Sequence, residues 1–211
     1  MKYTLTTALL FAVILVSAQN NTIDQRKAGT FSLGTRNTIS MFNDDEGVGK
    51  GIGGQFRIQI SDRLNTEWYF DYITARNPPY TYRNDYHIGW SVMYYFTHQY
   101  SFDRFLQPYF IVGHCFDYSK VMQQNNKANY ADRLSMATQA GIGTHLNIND
   151  KLDCSLSGQY MLHFGKEIVP IAIGTDIKGE QVLIEQKSFT HPHGHLLFTV
   201  SFNYKLFHLW R

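Results

Sequence analysis

The chain has 211 residues, enough for one sizeable domain or two small ones. Charged residues make up 17% and aromatic residues 15%, so the chain is poorer in charge than an average soluble domain. The formal net charge is only +2 and no cluster of Lys or Arg occurs, which argues against nucleic acid as a partner.

The first residues have the pattern of a secretory signal peptide. Lys2 supplies a positive start, and the apolar run Ala8 to Val16 is too short to span a bilayer as a helix. Ser17 and Ala18 then complete a small-residue cleavage site. We therefore predict a signal peptide over residues 1–18 and a mature domain over 19–211. An uncleaved anchor or a buried apolar segment is the alternative.

From about Gly29 the chain consists of segments in which apolar and polar residues alternate, separated by turn-forming residues. Successive side chains of a β-strand point to opposite faces, so each segment predicts a strand with one apolar face. The last is the clearest, with apolar residues at every even position from Leu196 to Leu206. The predicted strands span 29–41, 49–60, 64–75, 86–97, 106–121, 134–148, 152–164 and 195–207.

The connections between these strands alternate in length. Those after the second and sixth strands are short and the one after the fourth is moderate, whereas the others are mostly longer or richer in Gly and Pro. An even number of strands, with short turns on one side and longer loops on the other, is typical of an outer-membrane β-barrel. We therefore predict an all-β, up-and-down antiparallel transmembrane barrel of eight strands.

The region from Gly165 to Pro192 is longer than the other connections and holds two apolar pieces. They favour a hairpin that stands above the membrane and extends the two strands beside it. The free edge of such a hairpin can recruit an extended peptide. Two additional spanning strands, giving ten in all, are the alternative, although Pro170 and the nearby charges favour the hairpin.

The faces opposite the apolar ones carry Gln, Ser, Gly and charges of both signs rather than many Lys and Glu. This composition suits a narrow polar interior in which buried charges pair, and an eight-stranded barrel is just wide enough for its side chains to fill. We predict an interior that side chains plug, with a charge network of Arg36, Arg57, Glu67, Asp71 and Lys205.

Aromatic residues crowd the ends of the segments, where they suit the headgroup level of a membrane. The predicted aromatic girdle consists of Trp68, Trp90, Tyr94, Phe96, Tyr109, Tyr160, Tyr204, Phe207 and Trp210.

Gln107-Pro108-Tyr109 followed by Gly113, together with the terminal alternating strand, resembles the small eight-stranded outer-membrane β-barrel proteins of Gram-negative bacteria. These are OmpA/OmpX-like proteins, also called porin-family outer-membrane β-barrel domains. The resemblance covers about 29–207 and implies the fold and a location in the outer membrane. It also implies that outer-membrane lipids and the barrel-assembly machinery are partners, the latter through terminal aromatics such as Phe207 and Trp210.

The two cysteines are predicted to be unpaired. Cys115 and Cys154 are expected near opposite ends of strands two places apart, too far for a disulfide, so we predict two free thiols.

Alternating histidines lie at the start of the last strand, and one more lies at the end of the strand before it. Imidazoles at such spacing can bind zinc or copper. The candidate metal ligands are His163, His191, His193 and His195; a polar strand end without metal is the alternative.

The sequence contains neither a Gly-x-Ser-x-Gly nucleophile motif nor a phosphate-binding loop. We therefore predict a non-enzymatic barrel without a cofactor. Its role would be structural, or it would bind an extracellular protein or ligand through long loops. The alternatives are a narrow pore or transporter, a lipid-modifying barrel enzyme, and a soluble periplasmic lipocalin-like binder.

Overall fold

The computed structural model describes residues 28–42, 47–77, 80–96, 105–176, 179–187 and 192–210. The predicted signal peptide, 1–18, lies outside these residues. Within them the chain forms ten β-strands: β1 (Thr30–Phe42), β2 (Val48–Ser61), β3 (Leu64–Asn77), β4 (Thr81–Tyr95), β5 (Leu106–Gln123), β6 (Tyr130–Asn147), β7 (Leu152–Phe164), β8 (Glu167–Asp176), β9 (Gly179–Lys187) and β10 (His193–His208). In the described part of the chain no helix is long and apolar enough to cross a membrane.

Eight of the strands close into one antiparallel barrel in the order β1-β10-β7-β6-β5-β4-β3-β2, which confirms the predicted architecture. β8 and β9 pair only with each other and form a hairpin outside the barrel wall. The ten-stranded alternative is wrong because β7 pairs directly with β10, from His163 opposite His193 to Leu152 opposite Tyr204. No space remains between these two strands for another pair.

The barrel has two distinct ends. We call the end with the β2–β3, β4–β5 and β6–β7 connections the turn end, and the opposite end the loop end. The first and last strands of the barrel, β1 and β10, pair along their length. The start of β1 and the end of β10 lie at the turn end, where Thr30 pairs with His208. The hairpin of β8 and β9 follows β7 at the loop end.

Two loop-end connections are shorter than the sequence predicts. Residues 76–85 and 122–133 were expected to be loops, yet Arg76 pairs with Tyr82 and Met122 pairs with Tyr130 in continuous ladders. These connections are reduced to 78–80 and 124–129, whereas the connection at 43–47 agrees with the sequence. The two adjacent prolines and the stretch rich in Asn and Gln suggested loops, but strands that extend past the apolar part of the wall keep their backbone hydrogen bonds while their side chains become polar. The prediction of long loops is therefore wrong for these two.

The outward face of the barrel is largely apolar and aromatic. Phe207, Phe31, Phe56 and Trp68 form a row of stacked rings whose centroids are 5.1, 5.8 and 6.0 Å apart. Trp90 continues the row at 6.2 Å from Trp68. Because adjacent strands contribute one ring each, the row crosses five strands and stabilises the wall through cross-strand pairs.

A second row, which we call the tyrosine row, consists of Tyr72, Tyr86 and Tyr118, with centroids 4.9 and 6.0 Å apart. The Tyr118 hydroxyl donates to Asp132 Oδ2 at 2.7 Å, on the loop-end side. Phe96 lies ten residues after Tyr86, which corresponds to about 33 Å along a strand. At a tilt of about 40° this is about 25 Å perpendicular to a membrane, the height of the apolar band in outer-membrane barrels.

Eight of the nine residues of the predicted girdle lie on the outer surface: Trp68, Trp90, Tyr94, Phe96, Tyr160, Tyr204, Phe207 and Trp210. Tyr109 does not, so its inclusion is wrong. It is buried inside the barrel, with its ring centroid 4.7 Å from that of His145. The inward positions of β5 are the odd ones, and Pro108 rather than Tyr109 takes the outward position.

Candidate functional site

The interior of the barrel is filled by side chains at successive levels. At the turn end, Arg57 of β2 reaches across to β7, where its Nη2 donates to Asp153 Oδ1 and Oδ2 at 2.7 and 2.6 Å. Its Nη1 lies 3.0 Å from His145 Nδ1 of β6, a strand on the opposite wall. The Tyr95 hydroxyl lies 3.0 Å from His145 Nε2. All four side chains are buried, so this level bridges the full width of the barrel.

The next level is organised by Arg36 of β1. Its Nη1 donates to Glu67 Oε1 at 2.5 Å and to Gln55 Oε1 at 3.0 Å, and its Nε donates to Asp71 Oδ1 at 3.0 Å. The guanidinium also lies 4.2 Å from the centre of the Tyr69 ring. The geometry satisfies a buried guanidinium with two carboxylates, one amide oxygen and an aromatic face.

The structure therefore brings Arg36, Glu67 and Asp71 into one cluster. It places Arg57 with Asp153, a partner that was not among the predicted network residues. Lys205 is half-buried at the turn-end rim, where its backbone N–H donates to the Lys151 carbonyl at 2.7 Å. The sequence put Asp153 on a polar face, but only closure of the barrel brings β7 close to Arg57.

An apolar layer lies above Arg36 in the direction of the loop end. Its members are buried and come from five strands: Tyr69, Ile73, Cys115, Ala137, Met161 and Leu197. Cys115 Sγ lies 3.8 Å from Met161 Sδ, and both cysteines are free thiols, as predicted. The layer also holds the Tyr69 hydroxyl and the Cys115 thiol, and on β3 its members Tyr69 and Ile73 flank Asp71 of the Arg36 level.

Directly above the apolar layer, three imidazoles and a carboxylate converge. We call His87 of β4, Asp117 of β5, His163 of β7 and His195 of β10 the histidine cluster. The ring centroid of His163 lies 4.8 Å from that of His195, and the His87 centroid lies 6.1 Å from each of the other two. β4 and β10 are on opposite walls, so the cluster spans the barrel. All four side chains are almost fully buried.

Asp117 is the centre of polar contacts in this cluster. Its Oδ1 lies 3.3 Å from His87 Nε2 and its Oδ2 lies 3.1 Å from His163 Nδ1. Ser119 and Ser135 also donate to this carboxylate, at 3.1 and 3.2 Å from Oδ2. Arg133 Nη2 lies 3.7 Å from the same oxygen.

Only part of the predicted metal set is in this cluster. The structure brings His163 and His195 together, whereas His193 is half-exposed at the loop end with Nε2 3.4 Å from Glu167 Oε2. His191 lies outside the described residues. His87 and Asp117 were missed, although they occupy inward positions and pair in register on neighbouring strands. Among the residues described, no group of three or more His, Cys, Asp or Glu side chains could hold a metal ion in the positions that they occupy.

The hairpin of β8 and β9 contacts the loop end of β5 and β6. Asn129 Nδ2 donates to the Val182 carbonyl at 2.7 Å, and Arg133 Nη1 donates to the Lys166 carbonyl at 2.8 Å. Ile168 and Val182 are buried. In contrast, Ile171, Ile173 and Leu183 are exposed, and Ile171 pairs with Leu183 across the hairpin. We call these three residues the hairpin patch.

No protein-family model and no curated protein matches the chain. Solved structures do match it. Neisserial surface protein A has a TM-score of 0.57 at 14% identity, covering 85% of this chain and 98% of its own. The outer membrane protein OprG from Pseudomonas aeruginosa has a TM-score of 0.53 at 15% identity, covering 87% and 99%. A major outer membrane protein from Thermus thermophilus has a TM-score of 0.52 at 10% identity, covering 84% and 98%. The chain has the fold of small outer-membrane β-barrels.

Proposed function

We propose that this chain is an integral outer-membrane protein with a closed interior, and that it acts by binding an extracellular protein through its β8–β9 hairpin. The proposal rests on two features seen together. Side chains bridge the interior from wall to wall, and apolar side chains are exposed on that hairpin. A closed interior argues against a diffusion pore. Exposed apolar side chains on a hairpin that two side-chain hydrogen bonds join to the rim are suited to contact with a partner.

The membrane location rests on the outward face. Apolar and aromatic side chains cover it between Phe96 and the tyrosine row, and charged residues such as Lys120 and Asp132 begin beyond that row. In water such a surface would drive aggregation, whereas in a bilayer it is solvated by lipid. The fold shared with outer-membrane barrels supports the same location, with the turn end towards the periplasm and the loop end outside the cell.

Heat-modifiable gel migration after cell fractionation tests this location. We expect the unboiled protein to come from the washed outer-membrane fraction and to migrate as a compact species that boiling shifts. Recovery from the soluble periplasmic fraction, without a shift on boiling, would contradict the proposal.

The closed interior is tested by conductance. Protein reconstituted in planar bilayers is expected to give no discrete current steps, since the Arg57 level and the apolar layer each bridge the barrel. Steps of constant size from wild-type protein that is fully heat-modifiable would contradict the closed interior and favour the narrow pore.

Binding at the hairpin is tested by selecting displayed random peptides on the folded barrel in lipid nanodiscs. We expect extended, apolar-containing peptides whose binding disappears in Ile173→Asp and Leu183→Asp barrels. His193→Ala is the matched control, because His193 lies at the same end of the barrel outside the hairpin patch. Selected peptides that bind all of these barrels equally would contradict a role for the hairpin.

A further inference from the structure

Inside the loop end, the histidine cluster leaves buried ring nitrogens without hydrogen-bond partners. They are both nitrogens of His87, both nitrogens of His163, and Nε2 of His195. A buried polar atom without a hydrogen-bond partner destabilises the folded state, so several at one place in a native protein require an explanation. Asp117 lies close to two of these nitrogens, but those contacts do not have hydrogen-bond directions.

We propose that His87, His163, His195 and Asp117 bind one divalent transition-metal ion of the zinc type. Three neutral imidazoles and one carboxylate are a donor set that Zn²⁺ prefers. The ion would accept the ring lone pairs that the protein leaves without a partner, and it would neutralise part of the charge of Asp117.

The distances agree with such a site. Two ligand atoms about 2.1 Å from a tetrahedral ion lie about 3.4 Å from each other, close to the contacts of 3.1 and 3.3 Å that Asp117 makes with His163 and His87. Imidazole rings bound to one such ion have centroids about 5 Å apart, compared with 4.8 and 6.1 Å here. Rotation of the rings about their side-chain bonds completes the site, because the backbones of all four strands already place them around one point.

The surroundings also suit a bound ion. Ser119 and Ser135 donate to Asp117 and fix the carboxylate, as hydrogen bonds around metal ligands usually do. Arg83 pairs with Asp85 at 3.0 Å. Arg133 donates to the Lys166 carbonyl at 2.8 Å, and its Nη2 also lies 3.7 Å from Asp117 Oδ2, so it is the cation with which the bound ion would share this carboxylate.

Cobalt is the probe that tests the site, because Co²⁺ in a tetrahedral protein site absorbs visible light strongly and replaces Zn²⁺. Folded wild-type barrel in detergent is expected to bind one equivalent of Co²⁺ with tetrahedral absorption bands, which Zn²⁺ then removes. His87→Asn, His163→Asn and His195→Asn are each expected to weaken binding at least tenfold. Each variant is first checked for the heat-modifiable gel shift.

Two matched controls locate the site. His193→Ala removes the half-exposed histidine beside Glu167, and His145→Asn removes a buried histidine at the turn end; both are expected to bind Co²⁺ like the wild type. Loss of binding in His193→Ala with retention in His87→Asn would overturn the proposal. Absence of tetrahedral bands in the folded wild-type protein would also overturn it.

A measurement on the wild type covers the case in which a variant does not fold. X-ray absorption spectroscopy of the zinc-loaded barrel counts the imidazole ligands without any substitution. Three imidazoles and one oxygen ligand are expected, and two imidazoles or fewer would overturn the proposal.

Discussion

Arg57 and Asp153 lie 96 positions apart in the sequence, yet Arg57 Nη2 lies 2.6 Å from Asp153 Oδ2 inside the barrel. Neither strand that carries them is a neighbour of the other, so the pair ties together walls that backbone hydrogen bonds do not connect. Asn203 Nδ2 also donates to Asp153, at 3.1 Å, and its own Oδ1 accepts from Gln55. The pair therefore belongs to a network that joins the two lower levels of the interior.

Removing one member of this pair is expected to be costly. Asp153→Ala leaves the Arg57 guanidinium buried without its carboxylate, and loss of one partner of a buried pair costs about 3–5 kcal/mol. The free energy of unfolding in urea, followed by gel mobility in detergent, measures the loss. Glu185→Ala, at an exposed position of the β8–β9 hairpin, is the control and is expected to change it by less than about 0.5 kcal/mol. Equal effects would contradict the role of the pair.

Two adjacent glycines of β2 should respond differently to substitution by alanine. A methyl group at Gly53 points inward and collides with the Phe70 carbonyl oxygen and with Asp71 Oδ1, and it lies 3.0 Å from Asp71 Cα. At Gly54 the nearest atom is the Gly34 carbonyl oxygen, at 3.8 Å. Gly53→Ala is expected to destabilise the barrel by about 1–3 kcal/mol, because it displaces backbone and Asp71 together.

Gly54→Ala is the matched control for Gly53→Ala and is expected to be neutral or slightly stabilising, since alanine restricts the unfolded chain. Urea midpoints of the two variants provide the comparison. A Gly53→Ala midpoint that equals the wild-type value would mean that β2 and β3 are less closely paired than described.

The bilayer can be detected by placing arginine at two depths on the outward face. Val112 of β5 lies between Phe110 and the tyrosine row, whereas Leu134 of β6 pairs with Tyr118 of that row. Both side chains are exposed, at 53% and 72%. Val112→Arg is expected to cost about 2–4 kcal/mol in lipid vesicles, and Leu134→Arg about 0–1 kcal/mol, because the cost falls towards the interface.

Unfolding measurements in vesicles decide this prediction. In a water-soluble barrel neither arginine would meet lipid, so both variants would resemble the wild type. Similar small effects for Val112→Arg and Leu134→Arg would therefore contradict the membrane assignment.

Both thiols should be protected while the barrel is folded. Cys115 is fully buried beside Met161 in the apolar layer, and Cys154 is 8% exposed. We expect a maleimide reagent to label neither residue rapidly in the heat-modifiable form and to label both after denaturation without reductant. Mass spectrometry measures the labelling. A requirement for reductant would indicate a disulfide, contrary to the prediction.

The strands that were easiest to predict from the sequence are those with an uninterrupted alternation. The strand predicted at 152–164 has the same limits as β7, and the last strand has the predicted outward residues. β5 was harder because His114 shares a parity with Phe110 and Phe116. The structure turns His114 outward, edge-on to Phe116 at 5.1 Å. Alternation of apolar and polar residues divides the side chains of β5 between two faces, but the pairing of β5 with β4 is needed to decide which face points into the barrel.

The interior contacts could be predicted only in part. The paired charges on β1 and β3 were expected because Arg36, Glu67 and Asp71 share the polar faces of strands close in sequence. The contacts of Arg57 with Asp153, and of His87 with His195, depend on which walls face each other after closure. That relation is set by strand tilt and stagger, which no local pattern of residues encodes.

The register of β3 with β4 has a thermodynamic consequence for the two polar regions of the interior. Asp71 binds Arg36 and pairs in register with His87, and His87 pairs in register with Asp117, so the two regions meet at one histidine. Asp71→Asn and Asp117→Asn should therefore show an interaction energy of about 0.5 kcal/mol or more in a double-mutant cycle, and additive effects would contradict this link. A change of charge or ligand in the outer region would then be transmitted to the inner one through His87.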